Sequence, residues 1–171
     1  MFKVNLMDLD REGSMDFQRR IPTDHALWEG TDLTPKSQVS VALTITATPT
    51  GQVVARGSIS ATLARPCRRC LKAVDPAVEE GLELVWAVPD TLDARDDDGE
   101  IRTLDPRSGE LDLGPALREE LVLAAPTWVV CDESCRGLCP VCGVNRNVEE
   151  CECSLEEPDP RWDALRALKN D

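Results

Sequence analysis

The chain has 171 residues, 42% of them hydrophobic, and a formal net charge of −13 at pH 7. That length allows one hydrophobic core with a small additional segment and excludes two full domains. Because 32 acidic residues oppose 19 basic ones, the long-range field repels polyanions, so any contact with nucleic acid must be local.

The N-terminal region lacks the features of a secretory signal. Residues 1–13 mix charged and apolar side chains without a continuous apolar stretch, and no run in the chain approaches the roughly 18 apolar residues of a membrane span. We therefore expect a soluble, cytoplasmic protein with no membrane contact. In a reducing compartment, clustered cysteines indicate metal binding or thiol chemistry more than structural disulfides.

Three runs with period two predict an antiparallel β-meander. Apolar side chains alternate over residues 39–48, 53–63 and 78–88, which is typical of half-buried strands. The turn-forming residues 49–52 predict that the first two runs form a hairpin. Residues 2–9 predict a further strand. We expect these strands to form a meander or a barrel-like sheet.

The remaining chain predicts a loop, two helices and a cysteine-rich segment. Residues 89–100 hold six acids and one arginine and predict a solvated loop. Residues 112–125 carry apolar side chains at helical spacing and predict a helix packed on the sheet, and residues 159–168 predict a short C-terminal helix. The predicted fold is α+β, with the sheet and its packing helix in residues 1–126 and a zinc-binding segment with the C-terminal helix in residues 127–171.

The eight cysteines occur in four close pairs. The pairs are Cys67 with Cys70, Cys131 with Cys135, Cys139 with Cys142, and Cys151 with Cys153. The sequence CPVCG at residues 139–143 has the form of a zinc knuckle, in which a tight turn directs two thiolates to one metal and Gly143 can adopt a positive φ. Tetrahedral zinc requires four such ligands, so this knuckle needs a second pair.

Two arrangements of the ligands agree with the spacing. In the first, the knuckle pairs with Cys151 and Cys153, and a second ion joins Cys131 and Cys135 to the distant CxxC at 67–70. In the second, one ion binds the knuckle and either flanking pair. We therefore expect one or two structural zinc ions, because a site made only of thiolates is closed and leaves no position for a reacting water.

Enzymatic interpretations find less support. Cys67 and Cys70 could form a thiol oxidoreductase motif in which Arg68 and Arg69 lower a thiolate pKa, but the motif follows a strand of a meander instead of beginning a helix. His25 is not followed by the glutamate of a zinc deaminase. As the sole histidine, it also leaves no basis for histidine-dependent triads. We expect a protein without enzymatic activity.

A cluster of four cations surrounds the first CxxC. The cations are Arg65, Arg68, Arg69 and Lys72. They either balance the negative charge of a zinc bound by four thiolates or make a local contact with RNA or a partner protein.

The four tryptophans are Trp28, Trp86, Trp128 and Trp162. We expect them to anchor the core or its edge instead of stacking on bases.

Four motifs follow one another along the chain: RPCRRCL at 65–71, LDLGPALREELVLAAP at 111–126, CDESCRGLCPVCGVNRN at 131–147 with CEC at 151–153, and DPRWDALRAL at 159–168. In this order they resemble the YceD family, whose members are described as large ribosomal RNA subunit accumulation proteins. The resemblance implies a bacterial or plastid biogenesis factor, without enzymatic activity, that supports accumulation of large-subunit ribosomal RNA and its precursor.

The partners implied by this resemblance are the large-subunit RNA precursor or pre-ribosomal proteins. A basic protein partner suits the charge of −13, and the cations at 65–72 are the residues expected to contact RNA directly. The alternatives from other classes are a thiol oxidoreductase and a zinc-ribbon adaptor of protein complexes.

Overall fold

The main element is an open five-stranded sheet. The computed structural model describes residues 1–89, 101–105 and 107–154. The sheet strands are β2 (Ser14–Ile21), β3 (Val39–Ala47), β4 (Val53–Thr62), β7 (Ala77–Ala87) and β8 (Ile101–Thr103), hydrogen-bonded in that order. The first four strands are antiparallel, and β8 pairs parallel to β7. The sheet ends at β2 and β8 within the described residues, so the barrel-like alternative was wrong.

The predicted meander is confirmed in β3, β4 and β7. Each observed strand lies within one residue of the predicted bounds at either end. Its apolar positions form the buried face: Val41, Leu43 and Ile45 of β3 are 2%, 3% and 0% exposed. The alternation that predicted these strands therefore results from burial of one face of the sheet.

The N-terminal segment differs from the prediction of a single strand. β1 (Lys3–Asn5) is followed directly by the helix α1 (Leu6–Glu12). The Asn5 Oδ1 accepts hydrogen bonds from the backbone N–H groups of Met7 and Asp8 at 2.9 and 3.1 Å, so Asn5 caps the helix. Gly13, at φ 76°, ends it. The strand prediction was wrong from Leu6 onward because this capping interaction was not considered.

The helix α2 (Gly114–Ala124) covers the apolar face of the sheet. Leu117 and Leu121 are both fully buried, and burial of one such side chain contributes about 1.5–3 kcal/mol. Pro115 lies in the first turn, and the N–H of Gly114 donates to the Asp112 Oδ1 at 2.9 Å. The predicted packing helix is therefore confirmed. β9 (Glu110–Asp112) precedes it and pairs with β1.

A small hairpin extends the chain beyond β4. Its strands are β5 (Arg65–Pro66) and β6 (Ala73–Val74), paired antiparallel. The turn between them, residues 67–72, contains the first CxxC. The long β4 and β7 strands fix the base of this hairpin, so the first CxxC lies at one end of the sheet.

Two predicted features lie outside the described residues. They are the acidic loop, of which only Pro89 is described, and the C-terminal helix at 159–168. The division at residue 126 stays a prediction. Among the described residues, no helix has the length and apolar content needed to span a membrane.

Candidate metal centres

The first CxxC lies in a tight hydrogen-bonded turn, which we call the first knuckle (residues 67–72). The N–H of Cys67 donates to the carbonyl of Lys72 at 2.8 Å, and the N–H of Leu71 donates to the carbonyl of Cys67 at 2.9 Å. The N–H of Arg69 points at the Cys67 Sγ at 3.4 Å. Leu71 has a φ of 61°, a left-handed conformation that is costly for a residue with a Cβ.

The predicted CPVCG turn has the same hydrogen-bond pattern, and we call it the second knuckle (residues 139–144). The N–H of Cys139 donates to the carbonyl of Val144, and the N–H of Gly143 donates to the carbonyl of Cys139, both at 2.8 Å. Gly143 has a φ of 76° and occupies the position that Leu71 holds in the first knuckle. The two turns are thus equivalent, although only one of them has the glycine that suggested it.

The fold brings four of the predicted ligands together in a first tetrad. Its members are Cys67, Cys70, Cys131 and Cys135, whose sulfur atoms all lie within 4.8 Å of one another. The Sγ atoms of Cys67 and Cys135 are 3.9 Å apart, and those of Cys70 and Cys131 are 3.5 Å apart. All four are free thiols. Four sulfurs at about 2.3 Å from one zinc would be about 3.8 Å from each other, so this arrangement fits a single tetrahedral ion.

The other four cysteines form a second tetrad of the same size. Its members are Cys139, Cys142, Cys151 and Cys153, again with all sulfur atoms within 4.8 Å of one another. The pairing that the sequence left open is therefore decided by the fold: Cys131 and Cys135 lie with the distant Cys67 and Cys70. Of the two arrangements considered, the structure has the one with two groups of four.

The two tetrads differ in exposure. Three members of the first tetrad are buried, with Cys67, Cys70 and Cys135 at 0%, 6% and 5% exposure. In the second tetrad, Cys142 and Cys153 are exposed. The first tetrad is therefore part of the interior, whereas the second is reached from solvent.

Local hydrogen bonds make Cys67 and Cys135 of the first tetrad more acidic than a free thiol and Cys131 less acidic. Burial opposes ionisation of Cys67, but the N–H groups of Cys70 and Arg69, with further donors, outweigh it and lower its pKa to about 6. Hydrogen bonding to Cys70 and Cys135, together with burial, raises the pKa of Cys131 to about 12. One thiolate is thus prepared for a cation by backbone dipoles, while a neighbouring thiol keeps its proton.

The second tetrad repeats this division. The N–H groups of Cys142 and Val141 lower the pKa of Cys139 to about 6. A hydrogen bond with the Cys142 side chain raises the pKa of Cys153 to about 12, and burial and the electrostatic repulsion from Cys142 act in the same direction. In each knuckle, backbone N–H groups thus lower the pKa of the first cysteine to about 6.

The predicted basic cluster has structural contacts that sequence reasoning missed. The Arg69 Nη1 donates to the carbonyls of Glu133 and Cys135 at 2.9 and 3.0 Å. The Arg68 Nε donates to the carbonyl of Thr127 at 2.9 Å, and Arg65 forms a 2.8 Å ion pair with Asp32. Lys72 is exposed. The guanidinium groups of Arg68 and Arg69 thus hold residues 127–135 against the first knuckle; a contact with RNA or a partner stays a prediction.

The tryptophans and the histidine agree in part with expectation. Trp28 and Trp86 are buried at 5% and 3% exposure, as predicted for core anchors. Trp128 is 71% exposed, so of the two predicted roles the core was wrong for it, and a role at the edge stays a prediction. Trp162 lies outside the described residues. His25 has a structural role, since its Nδ1 accepts the N–H of Leu27 at 3.0 Å.

Fold and site together define an α+β protein with an open sheet and two tetracysteine sites built on equivalent knuckles. A family model described as "Large ribosomal RNA subunit accumulation protein YceD" matches residues 55–169. This span contains all eight cysteines and α2. The chain therefore belongs to the YceD family, as its motifs predicted.

The curated relatives match over parts of their length. The chain is 33% identical over 64 residues to "Large ribosomal RNA subunit accumulation protein YCED homolog 1, chloroplastic" of Arabidopsis thaliana, covering 37% of this chain and 20% of that protein. It is 33% identical over 115 residues to uncharacterised proteins of Mycobacterium bovis and Mycobacterium tuberculosis, covering 66% of this chain and 54% of each. The match thus spans a fifth of the plant relative and about half of the mycobacterial ones. No solved structure matches the chain.

Proposed function

We propose that this chain is a ribosome-biogenesis factor that supports the synthesis, processing or accumulation of large-subunit ribosomal RNA. The observation that carries this proposal is the family match over residues 55–169, because the family's description names that RNA. The proposed factor acts in the cytoplasm, or in a plastid in the case of plant relatives, and catalyses no reaction.

A structural zinc ion in each tetrad is the second part of the proposal. The donor set is four thiolates presented by a knuckle and a second cysteine pair, a combination that favours Zn²⁺ over the harder divalent ions. Among residues 131–154, the only buried apolar side chains are Cys135 and Cys139. This segment has almost no hydrophobic core of its own, so a metal, which contributes on the order of 10 kcal/mol of coupled folding in such sites, would stabilise it.

The burial of the first tetrad argues against the thiol oxidoreductase alternative. A redox CxxC needs an accessible thiolate that can attack a disulfide of its substrate. Here Cys67 and Cys70 are 0% and 6% exposed, and each sulfur faces a cysteine from residues 131–135. The geometry therefore favours a closed structural site over catalysis.

A protein partner within the pre-ribosomal particle suits the surface better than a broad RNA contact. The net charge of −13 attracts a basic protein and repels RNA. Arg65, Arg68 and Arg69 of the predicted contact cluster form internal hydrogen bonds or an ion pair. Of the four cations, Lys72 is therefore the one whose side chain is best placed to contact a partner. The zinc-ribbon adaptor alternative is favoured by exposed apolar side chains near the tetrads, such as Leu71 and Trp128 at 64% and 71% exposure.

Depletion of the protein in its host cells tests the proposed function. We expect the amount of large-subunit ribosomal RNA, precursor and mature, to fall relative to small-subunit RNA, and to recover when the wild-type chain is expressed again. A variant carrying Gly81→Ala, a substitution that meets open space on β7, serves as a control that should restore RNA fully. Unchanged large-subunit RNA after depletion would refute the proposal.

A further inference from the structure

A side chain located between the ligands of the second tetrad contacts a ligand of the first. Asn147 lies in the loop between Cys142 and Cys151, yet its Nδ2 donates to the Cys135 Sγ at 3.3 Å. Its Oδ1 accepts the backbone N–H of Arg136 at 2.7 Å. Because that N–H can only donate, the amide must present its oxygen to Arg136 and its nitrogen to the sulfur.

The second proton of the Asn147 side-chain amide also forms a hydrogen bond. The Asn147 Nδ2 donates to the Asn145 Oδ1 at 2.7 Å, and the same oxygen accepts the backbone N–H of Asn147 at 3.1 Å. Both amide protons and the amide oxygen therefore have partners, and the side chain is fixed in the orientation that directs an N–H at the sulfur.

The backbone on either side of this contact joins the two sites. We call residues 145–147 the strap. The N–H of Arg146 donates to the carbonyl of Gly137 at 2.9 Å, and Asn145 forms an antiparallel bridge with Leu138. The N–H of Leu138 in turn donates to the carbonyl of Arg69 in the first knuckle at 2.8 Å. The strap thus packs on residues 136–138, which pack on the first knuckle.

Gly137 allows this close packing. Its φ is 73°, and a Cβ built there would lie 2.9 Å from the Arg69 carbonyl oxygen. Both the conformation and the space require glycine. The path from the second tetrad to the first is therefore continuous and tightly packed, and it ends on the sulfur of Cys135.

We infer that Asn147 is a positioning residue that couples the two tetrads, so that metal bound in the second tetrad strengthens metal binding in the first. Metal in the second tetrad fixes both ends of the loop that carries the strap, at Cys142 and at Cys151. The ordered strap then holds an N–H donor against the Cys135 thiolate, and such outer hydrogen bonds orient a ligand and stabilise its charge. The coupling is reciprocal, because linkage requires each metal to favour the other equally.

This inference rests on the proposed metal occupancy of both tetrads, so the number of zinc ions bound by the 171-residue wild-type chain is measured first. Two zinc ions per chain allow the coupling to be tested. Fewer than two ions per chain would refute the proposed occupancy and, with it, the inference. Because the stoichiometry is measured before the affinities, this outcome is distinguished from two bound ions that are not coupled. The proposed role in RNA accumulation is not affected by either result.

The coupling is tested by a double-mutant cycle on the full chain. The first change is Cys151→Ser with Cys153→Ser, which disables the second tetrad. The second is Asn147→Asp, which is nearly isosteric and keeps an oxygen for the Arg136 N–H but removes the donor to the sulfur. Asn147→Ala removes the donor without adding charge, and Val148→Ala, at a side chain that is 85% exposed, is the matched control. The zinc affinity of the first tetrad is measured by competition with a chromophoric chelator.

Disabling the second tetrad should weaken zinc binding at the first by about 10–100-fold in the wild-type and Val148→Ala backgrounds, the usual effect of losing an outer ligand contact. In either Asn147 background the same change should have an effect at least threefold smaller. If disabling the second tetrad weakens zinc binding at the first in both Asn147 variants by a factor that is less than threefold smaller than in the wild type, the inference is overturned. The thiolate-to-cobalt absorption of the Co²⁺-substituted first tetrad reports whether each variant keeps its four sulfur ligands and hence its fold.

Discussion

At the scale of single residues, the two knuckles show how one backbone geometry can be built with different side chains. Gly143 and Leu71 take the same left-handed position, at φ 76° and 61°. Glycine adopts this conformation without strain, whereas a residue with a Cβ loses roughly 1–2 kcal/mol. The hydrogen bonds from the knuckle backbone therefore maintain a conformation that Leu71 alone would avoid.

Gly143→Ala should lower the stability of the zinc-loaded protein by about 1–2 kcal/mol, because the added Cβ has free space but the wrong backbone conformation. The matched control is Gly81→Ala, which also adds a Cβ in open space, at a position without a positive φ, and should leave stability unchanged or raise it. Urea unfolding at one fixed concentration of free zinc measures both. Equal effects of the two substitutions would show that conformation is not the cause.

The thiol pKa values predict how many protons zinc displaces. Cys67 and Cys139, with pKa values of about 6, have lost most of their protons at pH 7.5, whereas Cys131 and Cys153, with pKa values of about 12, keep theirs until metal binds. Zinc uptake at pH 7.5 should therefore release fewer protons than the four per ion expected from neutral thiols. As the pH falls through 6, the two thiolates become protonated and zinc binding weakens.

A weakly buffered titration of the metal-free chain with zinc, followed by a pH indicator, measures this release. The control is the same titration at pH 5, where Cys67 and Cys139 are mostly protonated and more protons per ion should appear. Release of four protons per zinc at pH 7.5 would contradict the assignment of these two residues as thiolates.

At the scale of elements, the β5–β6 hairpin depends on contacts with residues 127–135. Arg69 supplies two hydrogen bonds from one nitrogen to the carbonyls of Glu133 and Cys135, and hydrogen bonds from charged groups contribute about 1.5–3 kcal/mol when buried. Since Arg69 is exposed, its contribution lies at or below the lower end of this range. Both bonds leave one nitrogen of the rigid planar guanidinium, a geometry that the flexible stem and ammonium of a lysine do not reproduce.

Arg69→Lys should lower the free energy of unfolding by about 1 kcal/mol although it keeps the positive charge. Lys72→Arg, on the same knuckle, should change stability little. Urea unfolding of the zinc-loaded variants tests the difference. If Arg69→Lys is as stable as the wild type while binding to RNA or pre-ribosomal particles falls, Arg69 acts in partner contact and not as a structural brace.

The two tetrads should lose metal at different rates. Cys142 and Cys153 are exposed, whereas three members of the first tetrad are buried, so a chelator in solution reaches the second site first. We expect one equivalent of zinc to leave quickly and one slowly, and Cys142→Ser with Cys153→Ser to remove the fast phase. A single phase for both equivalents, or a fast phase that survives in this variant, would contradict the difference in access.

Sequence patterns predicted those elements whose structure depends mainly on their own local sequence. Alternation gave β3, β4 and β7, and CPVCG gave the second knuckle, because burial and turn geometry are local properties. β2 was missed since only Phe17 and Ile21 of its residues are buried, too few for a clear alternation. Asn147 was missed because no pattern marks an amide that reaches a sulfur from another loop.

At the scale of the whole molecule, the grouping of the cysteines depended on tertiary structure. Cys67 and Cys135 are far apart in sequence, and only the antiparallel β4 and β7 strands, with α2 packed on the sheet, return the chain to the first knuckle. Spacing could therefore offer two arrangements but not choose between them. In the structure, the first tetrad connects residues 131–135 to the hairpin at the end of the sheet, and the second joins two cysteine pairs that are close in sequence.

The net charge of −13 also belongs to this scale. A field of this sign slows approach to RNA and favours basic proteins, so recruitment to a pre-ribosomal particle through a protein is the simpler expectation. Such recruitment would bring the protein near large-subunit RNA, as the proposed function requires, without a broad basic surface.

Zinc analysis of the purified 171-residue chain, combined with X-ray absorption at the zinc edge, is the most direct test of the two tetrathiolate sites. The expected result is two zinc ions per chain, each with four sulfur neighbours at about 2.3 Å. One ion per chain, or zinc with nitrogen or oxygen neighbours, would contradict the sites described here.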